Sequence, residues 1–94
     1  MGVSIMLGKK NITPGWRSMM YGLLKENFGC IHTPDTTEFI LMDFDIPRLE
    51  HIKKHQRKGE KDKPFDYAKD IEKSFDEIIK VIQRKGEARI SCGF

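Results

Sequence analysis

Cysteine and long apolar runs are both scarce in this sequence of 94 residues. The two cysteines, Cys30 and Cys92, are too few for the disulfide framework that stabilises a small secreted domain, and they fit a reducing compartment. No apolar run approaches the roughly 20 residues that a membrane-crossing helix needs. The segment from Met1 to Leu7 is too short for a secretory signal. We therefore expect a cytoplasmic protein that does not enter a membrane.

Recognisable catalytic motifs are absent as well. No serine or cysteine lies in the strand-to-helix turn that presents a nucleophile, and the Gly-Lys-Lys at residues 8–10 is not a Walker loop. The chain also has no internal repeat and no low-complexity tract. These absences favour a non-enzymatic protein that needs no cofactor.

What the sequence does contain suits one small folded domain over residues 1–94. Hydrophobic residues make up 38% and charged residues 33% of the chain, which is a polar composition. The apolar residues are nevertheless grouped in periodic segments, and such grouping lets a chain bury enough apolar surface to fold. A chain of this length has room for one modest core and not for a second domain.

The clearest predicted element is a helix from Asp66 to Lys85. On a helical wheel its apolar side chains fall on one side and its charged side chains on the other, as a half-buried helix requires. Asp66 is a good N-cap, and Pro64 discourages an earlier start. Gly86 can adopt the left-handed conformation that ends a helix.

Shorter segments are interpreted by the same signals. Alternating apolar and polar residues indicate strands, and a polar cap followed by proline indicates the start of a helix. The predicted elements are a strand over 2–7, a helix from Pro14 to about Asn27 capped by Thr13, a central strand over 37–44 covered on both faces, a helix from Pro47 to about Arg57, a flexible charged linker over 58–65 and a half-buried strand over 88–94.

This order, β-α-β-α-α-β, predicts an α+β or small α/β fold. The first strand, the first helix and the second strand would form a right-handed crossover with parallel strands, and the last strand would return antiparallel. We therefore expect a three-stranded mixed sheet with helices mainly on one face. The uncovered sheet face or an edge strand would then be open to a partner or to a second copy of the chain.

Positive charge is concentrated in one part of the chain. The formal net charge is +3, but six Lys or Arg lie between Lys53 and Lys63 against Glu60 and Asp62, so this segment carries +4 and all other residues sum to −1. Surfaces usually mix the two signs more evenly, and such a patch suits phosphates or an acidic protein surface. The predicted partner-binding residues are Arg48, His51, Lys53, Lys54, His55, Arg57, Lys58, Lys61 and Lys63.

The interpretation we favour is a binding module that docks on a larger protein or ribonucleoprotein through this basic helix and linker. Inhibitors, immunity proteins and phage-encoded antagonists commonly have this size, which is an analogy of size alone. The first alternative is non-specific RNA or DNA binding by the same patch. Because lysine dominates and few aromatic residues lie nearby, the patch would contact phosphates and not read bases.

The second alternative is metal-dependent phosphoryl transfer or nucleotide binding. Asp43 and Asp45 end the predicted central strand, where residues two apart point the same way and could hold a divalent cation. Lys9 and Lys10 would lie at the same edge of a parallel sheet, beside the N-terminus of the first helix. The competing explanation gives these residues no function beyond structure. In it, Asp45 caps a helix and the lysines neutralise both acids. No third carboxylate is placed there by the sequence.

Two histidines suggest a zinc site, which we weigh and reject. His51 and His55 are four residues apart and share a helix face, a spacing that zinc sites use. Cys30, His32 and Cys92 could supply further ligands. The helical wheel, however, places the two histidines opposite the apolar stripe and beside cations that repel a metal ion. We therefore predict no metal site.

Overall fold

The structure is a computed structural model that describes residues 4–15, 17–58 and 67–93. The linker predicted over 58–65 lies, beyond Lys58, outside the described residues, as does the predicted cap Asp66. The described strands are β1 (Ser4–Leu7), β2 (Lys10–Asn11), β3 (Ile31–His32), β4 (Thr36–Met42) and β5 (Glu87–Gly93). The described helices are α1 (Arg17–Asn27), α2 (Ile46–Lys58) and α3 (Tyr67–Lys85), and a 3-10 turn over Asp43–Asp45 precedes α2.

The five strands form one antiparallel sheet in the order β2-β1-β5-β4-β3. The last strand of the chain lies in the middle and pairs antiparallel with β1 on one side and β4 on the other. β1 and β4 therefore run in the same direction without being neighbours. The predicted α+β class is confirmed, whereas the three-stranded mixed sheet is wrong. β5 inserts between the two strands that were expected to pair, and the short strands β2 and β3 extend the edges.

The helices cover one face of this sheet. Leu7, Ile90 and Phe39 lie side by side in one cross-strand row, and all three are buried in a core that the helices share. Ile40 and Met42 point to the opposite face and are 37% and 40% exposed. The prediction that this strand is central and covered on both faces is therefore wrong. Its apolar residues on the second face lie on the open side of the sheet.

α3 supplies the largest part of the helical side of the core. Its residues Ile71, Phe75, Ile78 and Ile82 are fully buried, which confirms the predicted apolar stripe. The helix stops at Lys85 because Gly86 has a φ of 86° and its amide donates to the carbonyl of Ile82 at 2.7 Å. This is the left-handed helix end that glycine favours, and the predicted stop is confirmed.

α1 begins later than predicted, at Arg17. Thr13 does not cap it, because its hydroxyl accepts a hydrogen bond from the backbone amide of Ile5 at 2.9 Å and donates one to Asn11 Oδ1 at 2.6 Å. Thr13 therefore holds the segment after β2 against β1. The cap prediction failed because β2, which has two residues, carries the chain back along β1 before the helix starts.

α2 has the thin apolar stripe that its sequence predicts. Leu49 and Ile52 are buried, and Ile46 packs partly buried against the same core. The opposite side of the helix is exposed over its first two turns. α2 therefore contributes little to the core and presents most of its polar surface outward.

Candidate functional site

The described part of the predicted basic surface lies on α2. Arg48, His51 and Lys54 are exposed there, on the side that the helical wheel predicted. Lys53 differs, because its side chain is only 17% exposed and its ammonium donates a hydrogen bond to Asp76 of α3. That hydrogen bond raises the pKa of Lys53 above its ordinary value, although desolvation opposes the shift. Lys53 thus links two helices and offers little charge to a partner.

The excess of positive charge lies further along the chain. The side chains of His55, Arg57 and Lys58, and the whole of Lys61 and Lys63, lie outside the described residues. From Asp43 to Lys54, three Lys or Arg stand against three Asp or Glu, and Glu50 Oε2 lies 3.9 Å from Lys53 Nζ. The 3-10 turn and the described start of α2 taken together are therefore balanced in charge.

An exposed aromatic ring adjoins this balanced surface. Phe44, in the middle of the 3-10 turn, is 78% exposed, which makes it the most exposed large hydrophobic residue of the described chain. It borders a shallow depression of about 360 Å³ with Pro47, Arg48 and His51. We call these four residues the Phe44 face. Sequence reasoning assigned Phe44 to a buried strand; its position between two aspartates was the only signal that it would lie outside.

The paired aspartates adopt structural positions. Asp45 Oδ2 accepts a hydrogen bond from the backbone amide of Met42 at 2.9 Å, which closes the turn at the end of β4. Asp43 is exposed at the start of that turn. Because both lie in a 3-10 turn, they are no longer the same-facing pair of an extended strand. Within the described residues, no three His, Cys, Asp or Glu side chains come together in a way that could hold a metal ion.

The predicted lysine pair lies apart from these aspartates. Lys9 and Lys10 form the end of the β1–β2 hairpin, and Lys10 Nζ donates to Glu77 Oε2 of α3 at 2.9 Å. This hydrogen bond lowers the pKa of the Glu77 carboxyl. Both lysines line a cleft of about 810 Å³ between the hairpin, the end of α3 and the start of β5, to which Asp43 and Asp45 do not contribute. The amide of Ile12 bonds to the carbonyl of Ile5 at 2.9 Å, so the chain reaches α1 at the far end of β1, away from the lysines.

A chain of polar contacts joins one cysteine to the edge of the sheet. Cys30 Sγ lies 3.3 Å from His32 Nε2, and His32 Nδ1 lies 3.1 Å from Thr37 Oγ1. The hydroxyl of Tyr21 lies 3.4 Å from the same threonine oxygen. Cys92, opposite Thr37 on β5, is fully buried, and burial raises the pKa of its thiol to about 11. The cysteines are free thiols in different surroundings.

These surroundings predict selective alkylation. In the native protein at pH 8, iodoacetamide is expected to modify Cys30, which is partly exposed, and to leave Cys92 unmodified because it is buried and stays protonated well above that pH. Mass spectrometry of the intact protein should show one adduct under native conditions and two in denaturant. Peptide mapping that finds native modification of Cys92 would contradict the described packing.

Comparisons with known proteins add no assignment. No family model, curated protein or solved structure matches this chain. None of the helices described above combines the length and apolarity that a bilayer crossing requires. What the structure defines is thus an α+β domain with two distinctive surfaces, the Phe44 face and the lysine-lined cleft.

Proposed function

We propose that the protein is a non-enzymatic binding module that docks on a larger protein through the Phe44 face. The observation that carries this proposal is the 78% exposure of Phe44. A phenylalanine side chain gains about 2–3 kcal/mol when it is moved from water into an apolar contact, and a partner that covers the ring would recover this free energy. Aromatic and arginine side chains are enriched among residues that dominate interfaces, and Phe44 lies beside Arg48.

The charge around Phe44 favours a protein partner over a nucleic acid at this face. A polyanion is held by excess positive charge, whereas Asp43 to Lys54 is balanced. A protein interface instead combines an apolar anchor with a rim of mixed polar groups. RNA or DNA binding by the predicted patch would depend on the cations beyond Lys54. A cytoplasmic location belongs to the same proposal and agrees with the two free thiols.

Replacing Phe44 with alanine is expected to weaken partner binding at least tenfold, which corresponds to about 1.4 kcal/mol. The protein serves as bait in an extract of its source organism, and a retained protein is identified by mass spectrometry and purified. Calorimetric titration then gives the dissociation constants of the wild type and of Phe44→Ala. Because the ring is exposed, the variant should fold as the wild type does.

A matched control uses the second most exposed large hydrophobic residue of the described chain. Ile31, 54% exposed on β3, lies opposite Glu38 and therefore well back along β4 from the Phe44 face. Ile31→Ala should leave the partner's affinity unchanged, whereas Arg48→Glu should weaken it. An equal loss in the Ile31 and Phe44 variants, or no loss in the Phe44 variant, would show that the partner contacts a different surface.

A further inference from the structure

The cleft between the β1–β2 hairpin, the end of α3 and the start of β5 gathers positive charge from the first two of these segments. Five of its lining residues are cationic, against two carboxylates, Glu77 and Glu87. The cations are Lys9, Lys10, Arg84, Lys85 and Arg89. Glu87 and Arg89 pair with Met42 and Ile40, so their side chains leave β5 on the open face of the sheet. The remaining charged lining residues, Lys9, Lys10, Arg84 and Lys85 against Glu77, carry a formal charge of +3, as large as that of the whole chain.

Two glycine turns bring these cations together. Gly8, with a φ of 63°, occupies the first position of the two-residue hairpin loop, as in a type II′ turn, and places Lys9 at the loop end. Gly86, with a φ of 86°, reverses the chain between α3 and β5. Because the amide of Gly8 donates to the carbonyl of Arg89 at 3.1 Å, the hairpin loop lies directly beside the start of β5.

Most of this charge has no internal counterion. Lys10 is paired with Glu77 at 2.9 Å, but the other three cations make no ion pair within the described parts of the chain. Like charges around a concave surface raise the local potential and the local concentration of anions. Leu7 and Val81 also line the cleft, so an anion bound there would lose part of its hydration against apolar side chains.

We propose that this cleft binds the oligophosphate group of a small ligand, such as a nucleoside triphosphate or an inorganic polyphosphate chain. Arginine guanidinium groups donate in pairs to phosphate oxygens, and lysines add point charges. A volume of about 810 Å³ falls in the range of small-molecule sites. None of the lining residues is aromatic, so the site offers no stacking surface for a base and recognises the phosphates themselves.

The concave shape separates this ligand from a nucleic acid strand. A strand is held along an extended basic track with aromatic platforms for its bases, whereas these cations lie around one open cleft. The cleft and the Phe44 face have no residue in common. Each proposal can therefore fail without the other.

The test is calorimetric titration of the full chain with sodium tripolyphosphate, ATP and adenosine at low ionic strength. Tripolyphosphate and ATP are expected to bind with similar dissociation constants, weakening as salt is added, and adenosine is not expected to bind. The double variant Arg84→Ala, Lys85→Ala should lose at least tenfold in affinity for both phosphates. Glu77→Gln should bind them more tightly, because it removes a carboxylate from the lining and leaves Lys10 without its counterion. Arg17→Ala, which removes an exposed cation on α1, should match the wild type.

Several results would overturn the proposal. They are no binding heat from either phosphate compound, equal losses in the Arg17 and Arg84/Lys85 variants, and weaker binding by Glu77→Gln. Binding of adenosine as strong as that of ATP would also overturn it, because the base would then be the recognised group. An oligonucleotide that binds more than tenfold tighter than tripolyphosphate, with the same dependence on Arg84 and Lys85, would assign the cleft to a nucleic acid instead. Far-ultraviolet circular dichroism of each variant confirms that the fold is intact.

Discussion

Phe39→Ala is expected to lower the free energy of unfolding by about 3–5 kcal/mol, the usual effect of deleting a buried phenylalanine ring. Phe39 is fully buried on β4, in the row that continues through Ile90 on β5 to Leu7 on β1. Its ring meets Tyr21 edge to face, with centroids 6.5 Å apart. Such an aromatic pair adds about 0.5–1.5 kcal/mol beyond the area that it buries.

The expected effect is large against the total stability of so small a protein. A domain of this length has an unfolding free energy of roughly 5–14 kcal/mol, so the variant loses at least about a fifth of it. Thermal denaturation followed by circular dichroism should show a melting temperature lower by more than about 10 °C.

The same chemical change at an exposed position is the control. Phe44→Ala removes an identical side chain that is 78% exposed, and its unfolding free energy should stay within about 0.5 kcal/mol of the wild type. A similar loss in both variants would mean that Phe44 is covered in solution. A small loss for Phe39 would mean that the β4–β5 core is not packed as described.

The helices could be predicted because their signals are local. The apolar stripe of α3 and the glycine after Lys85 lie within one stretch of sequence, and both are confirmed. The alternation of β5 is confirmed for the same reason. β2 and β3 were missed because each has two residues, too few to show a period of two.

The sheet order could not be predicted because it depends on distant pairing. Strands that follow each other in sequence usually lie side by side, so β1 and β4 were expected to pair. The structure places β5 between them, which lets residues from both sides cover its buried positions Ala88, Ile90 and Cys92. The apolar Ile40 and Met42 added to the error, because they indicated a second covered face that is open here.

The candidate sites could also be predicted only where they depend on local sequence. The exposure of Arg48, His51 and Lys54 follows from a helical wheel, but the ion pair between Lys53 and Asp76 joins two helices and has no local signal. The cations of the cleft are separated by more than seventy residues of sequence between Lys10 and Arg84. They meet only because β5 pairs with β1, so the cleft could not be inferred before the strand order was known.

The second large effect concerns backbone conformation, and two glycines should respond to alanine with opposite signs. Gly86→Ala forces an L-residue to a φ of 86°, which costs about 1–2 kcal/mol. Gly22, inside α1, has helical backbone, and there alanine gains about 0.5–1 kcal/mol because it restricts the unfolded chain. A Cβ at either position meets no atom within 4 Å, so neither value includes a steric clash.

Chemical denaturation of each single variant measures its change in the free energy of unfolding. Gly86→Ala should lower the unfolding free energy and Gly22→Ala should raise it, with no change in the denaturant slope of either curve. Gly86→Asn should recover part of the loss, because asparagine tolerates the left-handed conformation better than alanine does. If Gly86→Ala were as stable as the wild type, α3 would have to end by another route. The turn that joins α3 to β5, and so brings Arg84 and Lys85 beside Arg89, would then differ from the one described.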